Sequence, residues 1–181
     1  MDIQPLSLAG AYAIRLQPHR DDRGYFEVTY GRDEFEKHGL ATDWVQDNQS
    51  LSGRRGIVRG LHFQRPPHAE TKLLRVVAGA VWDVFVDLRK ASPTFGRWEA
   101  IELSSDNHMM VYIPKGFAHG FCTLTDTAVV AYKVDAFFSP SASAGVRWND
   151  ESLAISWPTT DAFLSPRDRE LPLLREFESP F

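Results

Sequence analysis

Apolar and polar residues alternate along short runs of this chain, and Gly, Pro, Asn or Asp separates one run from the next. A period of two is the signature of a strand, whose side chains point to opposite faces in turn. Ile57-Val58-Arg59-Gly60-Leu61-His62-Phe63-Gln64 reads this way, with Leu61 and Phe63 on one face and His62 and Gln64 on the other. From Lys72 to Leu88 the pattern predicts a hairpin: an apolar strand, a turn at Ala78-Gly79 and a second strand from Val81. In that second strand Trp82, Val84, Val86 and Leu88 share a face opposite Asp83, Phe85 and Asp87, and Arg75 is placed to pair with Asp83 across the hairpin. Further strands are expected at Trp98 to Leu103, Met109 to Ile113, Phe117 to Leu124 and Ala128 to Phe138. Many short strands at this spacing predict an all-β sandwich or small barrel rather than an α/β fold. One helix is expected from Arg32 to His38, ended by Gly39. Short turns or helices are expected over the barrel from Thr159 to Phe181, and Trp148 to Trp157 is expected to close it. No repeat, linker or low-complexity stretch interrupts the pattern, so residues 1–181 are expected to form one domain.

Composition narrows the classes. At 181 residues the chain is long enough to bury a sizeable core, and 43% hydrophobic with 24% charged residues is ordinary for a globular protein. A net charge of −4 argues against general nucleic-acid binding but leaves room for a small phosphorylated ligand held by a few local arginines. The single cysteine, Cys122, lies in an apolar run and reads as core filler, and one cysteine excludes an internal disulfide. The polar start Met1-Asp2-Ile3-Gln4-Pro5 and the lack of any long apolar run lead to the expectation of a soluble, cytoplasmic protein.

Four polar residues stand inside apolar strands: His62, Lys72, His119 and Tyr132. Taken singly, each has a bland reading, as a hydrogen-bonded core histidine, a snorkelling edge lysine or a packing tyrosine. Together they are several costly burials in one barrel, which packing alone does not explain. Two chemistries compete for them. Pro114-Lys115-Gly116-Phe117-Ala118-His119 has the PxGxxH spacing of a second cupin motif, which points to a metal site using His62, Glu70 and His119. Against it, Gln64 stands where a second first-motif histidine belongs, and glutamine is a poor ligand for transition metals. The other chemistry is metal-free proton transfer beside a carbonyl, which needs a base, a group to hold the enolate oxygen and an acid on the opposite face. His62, Lys72 and Tyr132 suit those three tasks, with an aspartate behind His62 and Arg59 close by to hold an anion. The remaining histidines, His19, His38, His68 and His108, lie in loop-like stretches and are expected at the surface.

Longer motifs add a resemblance. Asp22-Arg23-Gly24-Tyr25-Phe26, Gln46-Asp47-Asn48-Gln49-Ser50, Arg59 to Gln64, Thr71 to Val76, Ser92-Pro93-Thr94-Phe95-Gly96, Gly116 to Phe121, Tyr132-Lys133, Trp148-Asn149-Asp150 and Leu164-Ser165-Pro166-Arg167-Asp168 follow one another in order. In this series the chain resembles the dTDP-4-dehydrorhamnose 3,5-epimerases, over almost its whole length. The resemblance implies a cupin-like double-stranded β-helix jelly roll with a few short peripheral helices. It also implies a homodimer, no metal or other cofactor, and a dTDP-linked 4-keto-6-deoxy sugar as substrate. It assigns the base to His62, oriented by Asp168, the enolate-holding lysine to Lys72 and the opposite acid to Tyr132. It places His119 near the sugar and Arg59 on the diphosphate, with Arg23 reaching over from the partner subunit. Gln46, Asn48, Phe26, Phe121 and Phe138 complete the implied binding set. Three positions depart from the family pattern: Phe138 stands where a second tyrosine is usual, and Val28 and Ser143 where acids are usual. A C3-only epimerase, or one acting on another 4-keto nucleotide sugar, is the near alternative; a metal-dependent cupin isomerase or dioxygenase is the distant one.

Overall fold

The computed structural model describes residues 1–176 and 178–181. Its strands are β1 (Asp2–Pro5), β2 (Tyr12–Arg15), β3 (His19–Asp21), β4 (Gly24–Phe26), β5 (Gln46–Ser52), β6 (Val58–Gln64) and β7 (Lys72–Ala78). They continue with β8 (Ala80–Asp87), β9 (Trp98–Ser104), β10 (Met109–Ile113), β11 (Phe117–Thr123), β12 (Ala128–Val134) and β13 (Ser143–Gly145). Two short helices, α1 (Arg32–Lys37) and α2 (Pro166–Arg169), and a 3-10 turn at Leu174–Glu176 lie outside the sheets. A six-stranded sheet runs β1-β2-β10-β7-β12-β5 and a five-stranded sheet β13-β6-β11-β8-β9, all paired antiparallel; β3 and β4 pair only with each other. This is the expected jelly roll, with two sheets closed face to face.

Alternation places the core. The inner faces supply Leu74, Val76, Phe85, Val111, Ile113, Phe117, Phe121 and Val130 to one buried cluster between the sheets. Outside the six-stranded sheet, Phe35 of α1 packs with Leu73 and Tyr112. Outside the five-stranded sheet, Leu61, Phe63, Val84, Val86 and Leu88 are covered by the C-terminal stretch. The faces expected for residues 61–64 and 82–88 are therefore observed. Cys122 is core filler, fully buried, and burial pushes its thiol up to about 11. No helix among the described residues is long and apolar enough to cross a membrane.

The run from Lys72 to Leu88 is not a hairpin. β7 belongs to the six-stranded sheet and β8 to the five-stranded one, so the turn at Gly79 carries the chain from one layer to the other. Gly79 has φ +76°, and a Cβ there would stand 2.0 Å from the Thr127 carbonyl oxygen, so only glycine fits the crossing. The expected Arg75–Asp83 pair fails for the same reason: Asp83 faces inward between the sheets, and its hydrogen bond goes to His119. The last predicted strand also stops early. Beyond Val134 the partner strands have run out, and Asp135 turns to accept a hydrogen bond from the Thr71 amide at 2.7 Å. Nor is His108 a surface group: its side chain is 9% exposed and pairs with Glu27 at 2.8 Å.

At the end of β8, Asp87 is fully buried and accepts hydrogen bonds from Arg89, Ser92 and Thr94, which ties down the Ser-Pro-Thr loop. Burial opposes its ionisation, but these donors win and hold the carboxyl at about 2. A depressed carboxyl stabilises the fold above its unfolded value and loses that contribution as pH falls. Asp87 is thus expected to contribute about 2 kcal/mol at neutral pH, lost between roughly pH 4 and pH 2. Asp87→Asn should remove that acid-limb slope from urea-unfolding curves; an unchanged slope would assign the acid sensitivity elsewhere.

Candidate active site

One cavity of about 420 Å³ opens between the two sheets, lined by Arg59, His62, Lys72, His119, Phe121, Tyr132, Phe163, Arg167 and Asp168 among others. A second, of about 320 Å³, adjoins it through His62, Lys72, Tyr132 and Arg167 and adds Gln46, Asn48, Gln64, Glu70, Phe138 and Ser143. Alternation explains most of this lining. Lys72 follows the inward parity of Leu74 in β7, Tyr132 that of Val130 in β12, and His119 that of Phe117 and Phe121 in β11.

Arg59 is the exception. It lies three positions before His62, so a regular strand would turn one in and the other out. The pairing shows why both face the cavity: His62 lies opposite His119 and Arg59 opposite Phe121, so three steps along β6 match two along β11. The bulge falls at Gly60, which has φ +131°. A Cβ on Gly60 would stand 2.5 Å from the Gly120 Cα, and one on Gly120 would stand 2.6 Å from the Arg59 carbonyl oxygen. Two facing glycines let the strands touch where the register slips.

His62 Nε2 meets Asp168 Oδ1 at 2.6 Å, and Asp168 is 4% exposed. Burial raises the Asp168 carboxyl, but the His62 ring, helped by the Gly60 amide, pulls it below its ordinary value. The ionised carboxylate takes the Nε2–H, which leaves the Nδ1 lone pair of His62 for the cavity. Ser165 caps α2 by accepting from the Asp168 amide, which fixes the aspartate in place.

Lys72 is 8% exposed and pairs with Glu70 at 3.1 Å. The Gln64 amide nitrogen donates to Glu70 and to the carbonyls of His68 and Phe137, while its oxygen accepts from the Ser139 amide. Gln64 is thus a bracket for the loops around the lysine. Glu70, the third ligand a metal reading needs, is occupied by Lys72 and Gln64, and no group of three His, Cys, Asp or Glu side chains among the described residues is arranged to hold a metal ion.

Tyr132 sits in the opposite sheet from His62. Burial, reinforced by the Glu70 charge and opposed by Arg59, raises its hydroxyl above the ordinary value, so it keeps its proton at neutral pH. Gln46 and Asn48 are hydrogen-bonded to each other at 2.6 Å at the edge of the second cavity. Arg23 and Phe26, by contrast, line neither cavity. They lie on the β3–β4 hairpin, with the Arg23 side chain 91% exposed and Phe26 69% exposed.

Sequence reasoning missed two residues. Asp83 is fully buried and hydrogen-bonded to His119 Nε2 at 2.8 Å, while its Oδ1 has no partner among the described residues. It forms a second His–Asp pair beside the first, since His119 and His62 are cross-strand neighbours. The inward parity of Asp83 and Phe85 was the signal, obscured by the hairpin reading. Arg167 is the other; it stands beside Asp168 and lines both cavities.

Comparison with known proteins agrees with this geometry. The family profile described as dTDP-4-dehydrorhamnose 3,5-epimerase matches residues 5–176. The enzyme of that name from Methanothermobacter thermautotrophicus is 43% identical over 173 residues, covering 94% of this chain and 92% of its own. A dTDP-4-dehydrorhamnose 3-epimerase from Streptomyces niveus is 41% identical over 177 residues, covering 97% and 85%. The crystal structure of the Bacillus anthracis 3,5-epimerase with TDP and PPi bound superposes with a TM-score of 0.94 at 48% identity, over 96% of this chain and 99% of that one. By its profile match, its identity to these enzymes and its jelly roll, the chain belongs to the dTDP-4-dehydrorhamnose 3,5-epimerase family.

Proposed function

We propose that this chain inverts C3 and C5 of dTDP-4-dehydro-6-deoxy-D-glucose, giving dTDP-4-dehydro-L-rhamnose, without a metal or other cofactor. One observation carries the mechanism: a histidine of one sheet, backed by Asp168 of α2, faces a protonated tyrosine of the other sheet across a single cavity. Inversion needs a proton removed from one face of the sugar and returned to the other. C3 and C5 both flank the C4 ketone, so removing either hydrogen gives an enolate. His62 Nδ1 takes the proton, and the electron pair moves onto the C4 oxygen, where Lys72 donates a hydrogen bond to it. Tyr132 then delivers its hydroxyl proton to the opposite face of the carbon. Solvent restores the tyrosine, and His62 gives its proton back to water.

Arg59 takes the diphosphate in this reading, His119 and Phe121 the sugar, and Gln46, Asn48 and Phe138 the nucleoside. The exposed hairpin carrying Arg23 and Phe26 reaches the site of a second copy in a cytoplasmic homodimer. The Streptomyces niveus relative favours a second reading, inversion at C3 alone. Proton NMR of the substrate incubated with enzyme in deuterated water tests both. Exchange with inversion at C3 and C5 is expected; exchange at C3 alone would establish the second reading, and none at either carbon would exclude this substrate.

A further inference from the structure

The cations lining the two cavities are held in different ways. Arg59 is braced by neutral groups, its Nε on the Ser52 hydroxyl at 3.1 Å and its Nη2 on the Leu51 carbonyl at 3.0 Å. Arg167 donates through its Nη2 to the Ser143 hydroxyl at 2.7 Å. Lys72 instead meets a carboxylate, Glu70 Oε1 at 3.1 Å, and the two side chains are only 10% and 13% exposed. That carboxylate is itself fixed. The Ser139 amide donates to the Gln64 side-chain oxygen at 2.7 Å, which turns the Gln64 nitrogen towards Glu70 Oε2, 3.1 Å away. Asp135 holds the Thr71 amide at 2.7 Å and so pins the backbone between Glu70 and Lys72. Glu70 and Lys72 stand two positions apart at the start of β7, the spacing that puts side chains on one face of a strand. Glu70 is neither acid nor base in the mechanism above, yet it lines the second cavity together with Lys72 and Tyr132.

We propose that Glu70 is a positioning residue for the epimerisation, holding the Lys72 ammonium aimed at the C4 oxygen of the sugar. The proposal rests on the keto-sugar reading above and adds a residue to it. A lysine stem of four carbons rotates freely, whereas an enolate is stabilised by a donor already in place when its charge forms. The ammonium has three N–H donors; Glu70 occupies one and so fixes the direction of the other two. Glu70 touches no reacting atom in this role and acts through Lys72 alone.

Steady-state kinetics and deuterium exchange with dTDP-4-dehydro-6-deoxy-D-glucose test this on the full chain, in the wild type, Glu70→Gln, Glu70→Asp, Lys72→Met and the Glu70→Gln/Lys72→Met double variant. Glu70→Gln keeps the shape and an oxygen for the Gln64 nitrogen, and removes the charge. It should lower kcat about ten- to hundredfold with KM nearly unchanged, the cost of a misplaced catalytic group. Exchange at C3 and C5 should fall together with inversion, because an unsupported enolate slows proton removal itself. Glu70→Asp restores the charge one carbon short and should recover part of the loss. In the Lys72→Met background, Glu70→Gln should cost nothing further, since the ammonium it aims is gone. Wild-type kcat in Glu70→Gln overturns the proposal, as does a rise in KM alone or no recovery in Glu70→Asp. A faster Glu70→Gln protein also overturns it, by showing that the carboxylate only repels the enolate. An equal loss with and without Lys72 overturns it too, and would reduce Glu70 to a brace for the loops around Gln64. A wild type with no exchange at either carbon would instead overturn the keto-sugar reading.

Discussion

Replacing His62 by Ala is expected to lower turnover by roughly 10²–10⁴-fold and to abolish deuterium wash-in at C3 and C5 together. The loss should be joint because one imidazole nitrogen serves both carbons. Nε2 is committed to Asp168, so Nδ1 is the nitrogen His62 has left to face the cavity. KM should change little, since the diphosphate and nucleoside contacts lie elsewhere. NMR in heavy water reads the outcome directly. Exchange persisting at full rate at either carbon would remove His62 from the role of base at that carbon, and would turn attention to the neighbouring His119–Asp83 pair. The substitution also leaves Asp168 buried without its main partner, so a lower thermal midpoint is expected alongside the loss of activity.

Tyr132→Phe should separate the two halves of the reaction. It deletes a hydroxyl that burial and Glu70 keep protonated, and it leaves the His62 side of the cavity untouched. Proton removal and return on the same face need only His62, so deuterium should still enter the substrate. Product formation should fall by roughly 10²–10⁴-fold, because nothing remains to supply a proton from the other sheet. The NMR signature is labelled substrate with its original configuration. Inversion at the wild-type rate would show that Tyr132 is not the acid, and loss of exchange together with inversion would mean that the hydroxyl also assists proton removal.

Much of this was legible in the sequence. Period-two alternation set the faces of residues 61–64 and 82–88, because a buried face leaves its imprint on every second residue. Met109–Ile113 agrees at both ends, and the others drift only where pairing stops. The family motifs led to His62, Lys72, Tyr132 and Asp168, and these converge on one cavity. What alternation could not convey is which strands are neighbours. A tight glycine turn ordinarily means a hairpin, and here Gly79 joins two sheets, so Asp83 was matched to an arginine in the wrong layer instead of to His119. Positions that depart from the family pattern fall in two places. Phe138 and Ser143 line the second cavity, whereas Val28 is 52% exposed beyond it. Ser143 takes on meaning only once its hydroxyl is seen under Arg167.

The slip between β6 and β11 has a consequence for how such a site can be lost. A side chain on Gly60 or Gly120 would force the strands apart where they slip and leave every side chain of the cavity in the protein. With the slip gone, a regular ladder would turn Arg59 and His62, three positions apart, to opposite sides. Anion holder and base would be divorced by arithmetic alone. The two facing glycines are therefore as heritable a requirement as the residues that meet the substrate. Among chains that keep every motif residue, a bulkier residue at either glycine would be the mark of an epimerase turned into something else.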